Sequence, residues 1–368
     1  MELIQLVLHN LISFILIISG IVFVHEFGHF IVARLCGVKV EEFSIGMGKE
    51  LCGFNDKKGT RWKFCLLPVG GYVKMFGDRN GASMPDLKAF DKMTKAEQKI
   101  SFLGKNVSQR AAIVAAGPVF NFILAIFLFT ALFRINGYNV ILPIVDQVLD
   151  GSAAAGAGLK KGDKILAISG TEIRNFDDMR AIISISADKE LQFKIEREGN
   201  VFEQKIIPQN QARRDIFGEE VKLGTLGVTA NDVTHHDLDL VGAFVKANVE
   251  TVDMIQATFK ALWQLITGQR DFKELGGPIK IAKYSGKSVE MGYLMVIWFA
   301  SVISINLGVM NLLPVPVLDG GHLFFYAIEA VLGKPLSKKT QEICFRVGFS
   351  LIITLMLFTT LNDVRSLF

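Results

Sequence analysis

Residues 11–33 read LISFILIISGIVFVHEFGHFIVA, and this stretch decides the class of the fold. Glu26 is its only charged residue. About 20 consecutive apolar residues are enough for a helix to cross the hydrocarbon core of a bilayer. The stretch therefore predicts a transmembrane helix. It lacks the basic start and the small-residue cleavage site of a secretory signal peptide, so we expect it to be retained.

Three further apolar runs predict three more transmembrane helices. Residues 111–133, 291–318 and 347–362 contain no charged side chain. The last run is the shortest, and a buried helix of a soluble domain is the alternative interpretation for it. The fold class that follows is a polytopic α-helical membrane protein with four transmembrane helices.

The overall composition excludes several other classes of protein. The chain of 368 residues is 50% hydrophobic and 21% charged, and its mean hydropathy is +0.37. This composition is typical neither of a disordered protein nor of an ordinary soluble enzyme. The net charge of only +4 comes without a basic run, so the sequence predicts no nucleic-acid partner. The four cysteines lack paired spacing, which favours free thiols.

The soluble segments predict an inserted domain and an orientation. Residues 135–210 alternate short apolar runs with Gly-containing turns around GLKKGDKILAISGTEI (158–173), a pattern that resembles an α+β PDZ-like domain. Another kind of small β-domain is the alternative. Residues 211–290 predict an amphipathic helical segment, because apolar side chains recur at helical spacing over 238–266. Residues 34–110 carry 15 Lys and Arg against 8 Asp and Glu. The positive-inside rule then places 34–110 in the cytoplasm and 135–290 outside.

The chemistry lies in the first transmembrane helix, at His25-Glu26-Phe27-Gly28-His29. On a helix, histidines four positions apart lie on one face and can reach a single zinc ion. Glu26 can face the water that such an ion activates. Ionisable residues at membrane depth are costly and usually functional. The alternative to a metal site is that the two histidines are structural and that Glu26 snorkels to the membrane surface.

A catalytic zinc usually has three protein ligands, so a third ligand must come from elsewhere in the chain. Asp319 is the best candidate, since two prolines break the backbone before it and Gly320-Gly321 follow it. Irregular backbone at membrane depth is tolerated only where it is buried or lines a watery cavity. His322 is a competing ligand, and a helix cap is the structural alternative for Asp319.

Together these features resemble the site-2 protease family of intramembrane zinc metalloproteases, and within it the bacterial regulator-of-sigma-E protease subgroup. Besides the HEFGH stretch and NLLPVPVLDGG (311–321), four stretches fit the resemblance: FSIGMGK (43–49), LPVGGYVKM (67–75), GPVFN (117–121) and GGPIKIA (276–282). The best-studied members carry two tandem PDZ domains, whereas this sequence predicts one.

The resemblance implies a site and a substrate class. Its zinc ligands match His25, His29 and Asp319, its catalytic base matches Glu26, and its substrate-backbone contact matches Asn311. The implied reaction is cleavage of single-span membrane proteins after a first cut outside, with trimmed anti-sigma factors and remnant signal peptides as typical substrates. The implied location is the bacterial inner membrane, with the active site towards the cytoplasm.

A helical substrate hides its peptide carbonyls and must be unwound before hydrolysis. Residues 61–67 and 72–76, joined around Pro68-Val-Gly-Gly, predict a membrane-associated β-hairpin. An edge strand at Gly70, Gly71 and Tyr72 can hold the substrate extended by β-augmentation. An ordinary surface hairpin is the alternative.

The sequence predicts four segments. Residues 1–134 contain two transmembrane helices, HExxH and the hairpin, and residues 135–210 form a PDZ-like domain. Residues 211–290 form an amphipathic helical segment, and residues 291–368 contain two transmembrane helices and the LDG sequence. We expect the PDZ-like domain to gate access rather than catalyse. Two other functions stay open: a non-catalytic PDZ membrane scaffold, and a transporter in which Glu26 and the histidines relay ions. A non-catalytic scaffold is expected to have lost Glu26, and a transporter does not require stoichiometric bound zinc.

Overall fold

The structure is a computed structural model and describes residues 2–78, 90–214, 220–268 and 275–365. The helices are α1 (Glu2–Leu35), α2 (Lys95–Ile100), α3 (Val107–Asn136), α4 (Ala153–Gly156), α5 (Phe176–Ser184), α6 (Leu240–Ile266), α7 (Pro278–Glu290), α8 (Tyr293–Leu312), α9 (Asp319–Leu332) and α10 (Lys338–Arg365). The strands are β1 (Val40–Asn55), β2 (Arg61–Met75), β3 (Tyr138–Ile141), β4 (Gln147–Val148), β5 (Lys164–Ile168), β6 (Thr171–Glu172), β7 (Leu191–Arg197), β8 (Asn200–Ile206), β9 (Gln209–Arg214), β10 (Glu220–Thr225), β11 (Val228–Thr229) and β12 (Val233–His236).

In the part of the chain that the structure describes, four helices, α1, α3, α8 and α10, are long and apolar enough to cross a membrane. They coincide with the four predicted apolar runs, so the prediction of a membrane protein is confirmed at this level. In α10 the large apolar side chains of Val347, Leu351 and Met356 are each more than half exposed. A helix buried in a soluble domain would cover such side chains, so α10 suits a lipid environment.

The chain divides into two compact units, Met1–Leu132 with Phe244–Phe368, and Phe133–Ala243. In the first unit, β1 and β2 form a sheet beside α1. Residues 40–45 pair with 71–75, residues 42–45 also pair with 61–64, and residues 50–55 pair with 61–65. The chain turns at Asp56–Thr60.

The predicted hairpin of 61–67 with 72–76 is therefore wrong. Both segments belong to the one strand β2, and both pair with β1. The physical reason is burial: β1 contributes Val40 and Phe43 to the core that α1 forms with Phe30, and a hairpin within 61–76 would leave them uncovered. The Gly-Gly pair marks an irregular point in β2 instead, where Gly70 has φ +84°.

Polar contacts fasten this sheet to the end of α1. The Arg34 guanidinium donates to the Asp56 carboxylate, and to Thr60 Oγ1 at 2.8 Å. Arg34 also lies over the Phe30 ring, 4.3 Å from its centroid. Burial opposes ionisation of Asp56, but hydrogen bonds from Thr60, Trp62 and Arg34 outweigh it and lower its pKa to about 2. The sheet is thus fixed to the helix that carries the HExxH sequence.

The second unit is the inserted β-rich unit. Its main sheet has the order β6-β5-β7-β8. Side chains along β7 alternate between buried and exposed, so Phe193 and Ile195 join Met179 of α5 in the core. The Asp163 carboxylate is buried and accepts two hydrogen bonds from Arg197, at 2.6 and 2.7 Å. A charge-assisted bidentate pair of this kind compensates a buried carboxylate for its lost water.

The boundary predicted at residue 210 differs from the structure. The described residues of this range, 211–214 and 220–236, are not part of an amphipathic helix; they contain the end of β9 and the strands β10, β11 and β12. Strand β11 pairs with β4, and β12 pairs with β3. These later strands therefore complete the inserted unit by pairing with its first two strands. The amphipathic helix begins at Leu240, as α6. All four cysteines are free, as predicted.

Candidate metal centre

Helix α1 places the two histidines of HEFGH side by side. The Nε2 atoms of His25 and His29 are 3.3 Å apart, and both residues are buried. Asp319, the first residue of α9, meets them from the other end of the chain. Its Oδ2 atom lies 3.2 Å from His25 Nε2 and 3.6 Å from His29 Nε2. These three residues form the one cluster of potential metal ligands found among the described residues.

The three donor atoms fit a zinc ion. In a tetrahedral site with bonds of about 2.0–2.1 Å, neighbouring ligand atoms are about 3.3–3.4 Å apart. The observed separations are 3.2, 3.3 and 3.6 Å. Asp319 Oδ2 is buried and accepts no hydrogen bond, although a buried carboxylate oxygen normally does. Two imidazoles and one carboxylate are also the ligands that zinc hydrolases use, and they leave one coordination position open.

The chain between α8 and α9 is shaped to present Asp319. Helix α8 ends at Leu312, earlier than the uncharged run predicts, because Pro314 and Pro316 cannot continue it. A Cβ at Gly320 would lie 2.3 Å from the carbonyl oxygens of Leu312 and Leu313. Only glycine permits this close return of the chain.

Strain and capping at this turn also point to a functional role. Val317 has φ +95°, a strained conformation for a β-branched residue. Leu318 is the N-cap of α9, and no side chain caps that helix. The capping alternative for Asp319 therefore finds no support.

His322 is not part of the ligand cluster, although it lines the same cavity.

A cavity of about 200 Å³ opens beside the three ligand atoms. Of the residues predicted from the sequence, Glu26, Gly71, Tyr72 and Asn311 line it, and Gly70 does not. A Cβ on Gly71 would lie 2.8 Å from the Ser44 carbonyl oxygen and 3.1 Å from Glu26 Cγ, so β2 runs directly against the glutamate of HExxH.

Hydrogen bonds fix two of these lining side chains. The Tyr72 hydroxyl donates to Glu42 Oε2 at 2.9 Å, and Lys63 Nζ donates to the same oxygen. Burial opposes ionisation of Glu42, but these two hydrogen bonds outweigh it and lower its pKa. Asn311 Nδ2 donates to the Leu307 carbonyl at 3.0 Å, which leaves its second N–H and its oxygen for other partners.

Helix α3 forms the wall behind the histidines, and the sequence analysis gave its residues no role. A Cβ on Gly117 would lie 2.4 Å from His29 Nε2 and 2.8 Å from His25 Cε1. His29 Nδ1 donates to the Ile113 carbonyl at 2.9 Å. Pro118 has no N–H, so the Val114 carbonyl one turn earlier lacks its usual helical partner. The signal that could have revealed this wall is the amide side chain of Asn121, in a run that is otherwise almost entirely apolar.

Comparisons with known proteins agree with this geometry. The model of peptidase family M50 matches residues 13–355. Several similar proteins carry the name "Putative zinc metalloprotease". The one from Agrobacterium fabrum is 42% identical over 361 residues, covering 97% of this chain and 96% of the relative. The one from Rickettsia conorii is 42% identical over 362 residues, covering 98% and 99%. The metalloprotease MmpA of Caulobacter vibrioides is 37% identical over 378 residues, covering 96% and 95%.

The family match spans almost the whole chain and includes the HExxH helix and the LDG turn. Relatives of nearly equal length are named zinc metalloproteases. The resemblance predicted from the sequence is therefore confirmed: this chain belongs to peptidase family M50, the site-2 protease family, and is a membrane-embedded zinc metalloprotease.

Proposed function

We propose that the chain hydrolyses peptide bonds within the transmembrane segments of single-span membrane proteins. The observation that carries this proposal is the position of the site. His25, Glu26 and His29 lie on α1, a helix apolar and long enough to cross a membrane, and the cavity beside them is lined by further residues of such helices. A site that acts only on soluble peptides gains nothing from this placement, which costs free energy.

The substrate binds as an added strand on β2. Residues 71–75 pair with 40–45, and no second described strand pairs with them. Gly71, Tyr72, Val73 and Met75 line the cavity, so a strand added at this edge passes the ligand cluster. Main-chain hydrogen bonds to such an edge give affinity without fixing the side-chain sequence, and they hold the substrate extended with its carbonyls exposed.

His25, His29 and Asp319 would hold the zinc ion. Zinc bound there would supply Lewis acidity for the scissile carbonyl and the attacking water. Glu26 accepts the proton of that water and donates it to the leaving amine as the C–N bond breaks. Asn311 donates its remaining amide N–H to the substrate backbone or to the oxyanion that develops during the attack.

The inserted unit selects substrates and performs no chemistry. The described part of Phe133–Ala243 contains a four-stranded sheet and two short helices, which supports the assignment as a PDZ-like domain, and it contributes no residue to the ligand cluster. We place it outside the inner membrane, and the loop 34–110 in the cytoplasm. Substrates then need a first cut by another protease, and trimmed anti-sigma factors and remnant signal peptides are the classes expected.

A deletion tests this selective role. Tyr138 and His236 are paired neighbours in β3 and β12, so residues 138–236 can be replaced by a short linker. The deleted protein is expected to cleave short peptides and to accept untrimmed substrates. A folded, zinc-loaded and inactive deletion protein would instead mean that the unit helps deliver the substrate.

The alternatives predict different properties. A PDZ scaffold needs no catalytic base, whereas Glu26 is present and faces the cavity. An ion-relaying transporter needs no bound zinc and cleaves nothing. The deciding experiment incubates the purified protein in detergent with a synthetic transmembrane peptide, with and without a zinc chelator, and maps the products by mass spectrometry. Chelator-sensitive cleavage inside the apolar stretch supports the proposal, and cleavage confined to the polar flanks contradicts it.

A further inference from the structure

Asn121 is a buried polar side chain in the middle of the apolar helix α3, and its exposed fraction is 0%. Its Nδ2 atom lies 3.0 Å from His25 Nδ1, and its Oδ1 atom has no hydrogen-bond partner. The Ser304 hydroxyl of α8 donates to the Asn121 main-chain carbonyl at 2.8 Å, which fixes the backbone here. An unpartnered amide oxygen in a buried position costs free energy, so its position calls for a physical reason.

The zinc site supplies that reason. When His25 binds zinc through Nε2, its Nδ1 atom must carry the proton and becomes a hydrogen-bond donor. An amide N–H cannot accept that proton, so two donors would face each other. Rotating the Asn121 amide by 180° exchanges its oxygen and nitrogen within the same volume. Oδ1 then accepts from His25 Nδ1–H at the 3.0 Å separation, and its missing partner is supplied.

We propose that Asn121 is a positioning residue of the zinc site, whose Oδ1 accepts a hydrogen bond from His25 Nδ1–H and thereby fixes the ring and the tautomer that presents Nε2 to the metal. His29 has a matching arrangement, since its Nδ1 donates to the Ile113 carbonyl at 2.9 Å. Both acceptors lie on α3, two helical turns apart. This helix therefore orients both histidines although it provides no ligand itself.

Outer-shell acceptors of this kind typically change metal affinity by about 10- to 100-fold when they are removed. Asn121→Leu keeps the side-chain volume and removes the acceptor. Asn121→Asp keeps an acceptor oxygen at the same place and removes the amide donor. Thr130→Val is the matched control, because it removes a partly buried hydroxyl from the same helix, whose hydrogen bond among the described residues goes to the Ile126 carbonyl.

The test measures zinc dissociation constants of the purified, detergent-solubilised full-length variants by competition with a chromogenic chelator. Cobalt(II) spectra report the geometry of the site independently of activity. The proposal expects zinc affinity about 10- to 100-fold weaker for Asn121→Leu, and affinity close to wild type for Asn121→Asp and Thr130→Val. Wild-type affinity in Asn121→Leu would overturn it. So would a folded Asn121→Asp protein with strongly weakened binding, because the amide donor would then be the group that matters. This second comparison decides the question even if the leucine variant does not fold.

Discussion

Gly117→Ala is the substitution that tests the packing of the metal centre most sharply. The new methyl carbon would lie 2.4 Å from His29 Nε2, 2.6 Å from His29 Cε1 and 2.8 Å from His25 Cε1, whereas ordinary contact begins at 3.4 Å. Both rings must therefore retreat, His29 by about 1 Å. Since the ligand atoms are 3.2–3.6 Å apart, a shift of this size removes the tetrahedral fit.

The expected loss of zinc affinity depends on whether the metal-free or the zinc-bound protein is strained by the added methyl group. Overpacking by one methyl group costs about 1–3 kcal/mol. Without metal, the rings can rotate away from the methyl group. Zinc binding requires both rings to return to their ligand positions, so the overpacking energy weakens zinc binding. At about 1.4 kcal/mol for each tenfold change, zinc binding should weaken by about 5- to 150-fold. A displacement of about 1 Å at a reacting centre also lowers turnover by roughly 10²-fold.

The assay measures zinc affinity and peptide cleavage on the same purified variant. Gly20→Ala is the matched control, because Gly20 lies in α1, the helix that carries both histidines, and a Cβ there would meet no atom within 4 Å. We expect the control to equal the wild type in both measurements. Wild-type zinc affinity and turnover in Gly117→Ala would refute the reasoning, since the rings could then not lie where the structure places them.

Three further predictions follow from other residues. Asp319→Ala should lose activity and most of the bound zinc, whereas His322→Ala should keep its zinc; metal analysis showing the reverse would make His322 the third ligand. Burial raises the pKa of Asp78 to about 7. The stability that the protonated Asp78 contributes is therefore fully present below about pH 4, and it is lost as the pH rises through about 7. Thermal unfolding of Asp78→Asn in detergent should therefore lack this decline, and an unchanged pH profile would contradict it. Cys52 is exposed, and an impermeant thiol reagent applied to intact cells should not label it; labelling from outside would reverse the proposed orientation.

Local patterns in the sequence were enough to predict the four apolar helices and the three candidate ligands that the structure brings together. The two histidines are four residues apart, and the geometry of one helix fixes their relation. Asp319 could be predicted because the prolines before it and the glycines after it break a helix in an apolar environment. These signals need no knowledge of which elements pack together.

The features that the sequence analysis missed depend on contacts between distant residues. Pairing of 40–45 with 71–75 is decided by the core that Phe43 forms on α1, and the Gly-Gly signal in β2 suggested a local turn instead. Gly117 matters only because α3 packs against the histidines of α1. Asn121 meets His25 across 96 positions of sequence. Neither role can be read from a spacing rule.

The central claim is that Glu26 acts as the proton carrier of a zinc-dependent peptide hydrolysis. Glu26→Gln keeps the size of the side chain and cannot accept the proton of the attacking water. The direct measurement is zinc stoichiometry and cleavage of a transmembrane peptide by this variant in one preparation. The account predicts wild-type zinc content with cleavage reduced by about 10²- to 10⁴-fold. Near-normal cleavage with zinc bound would contradict it.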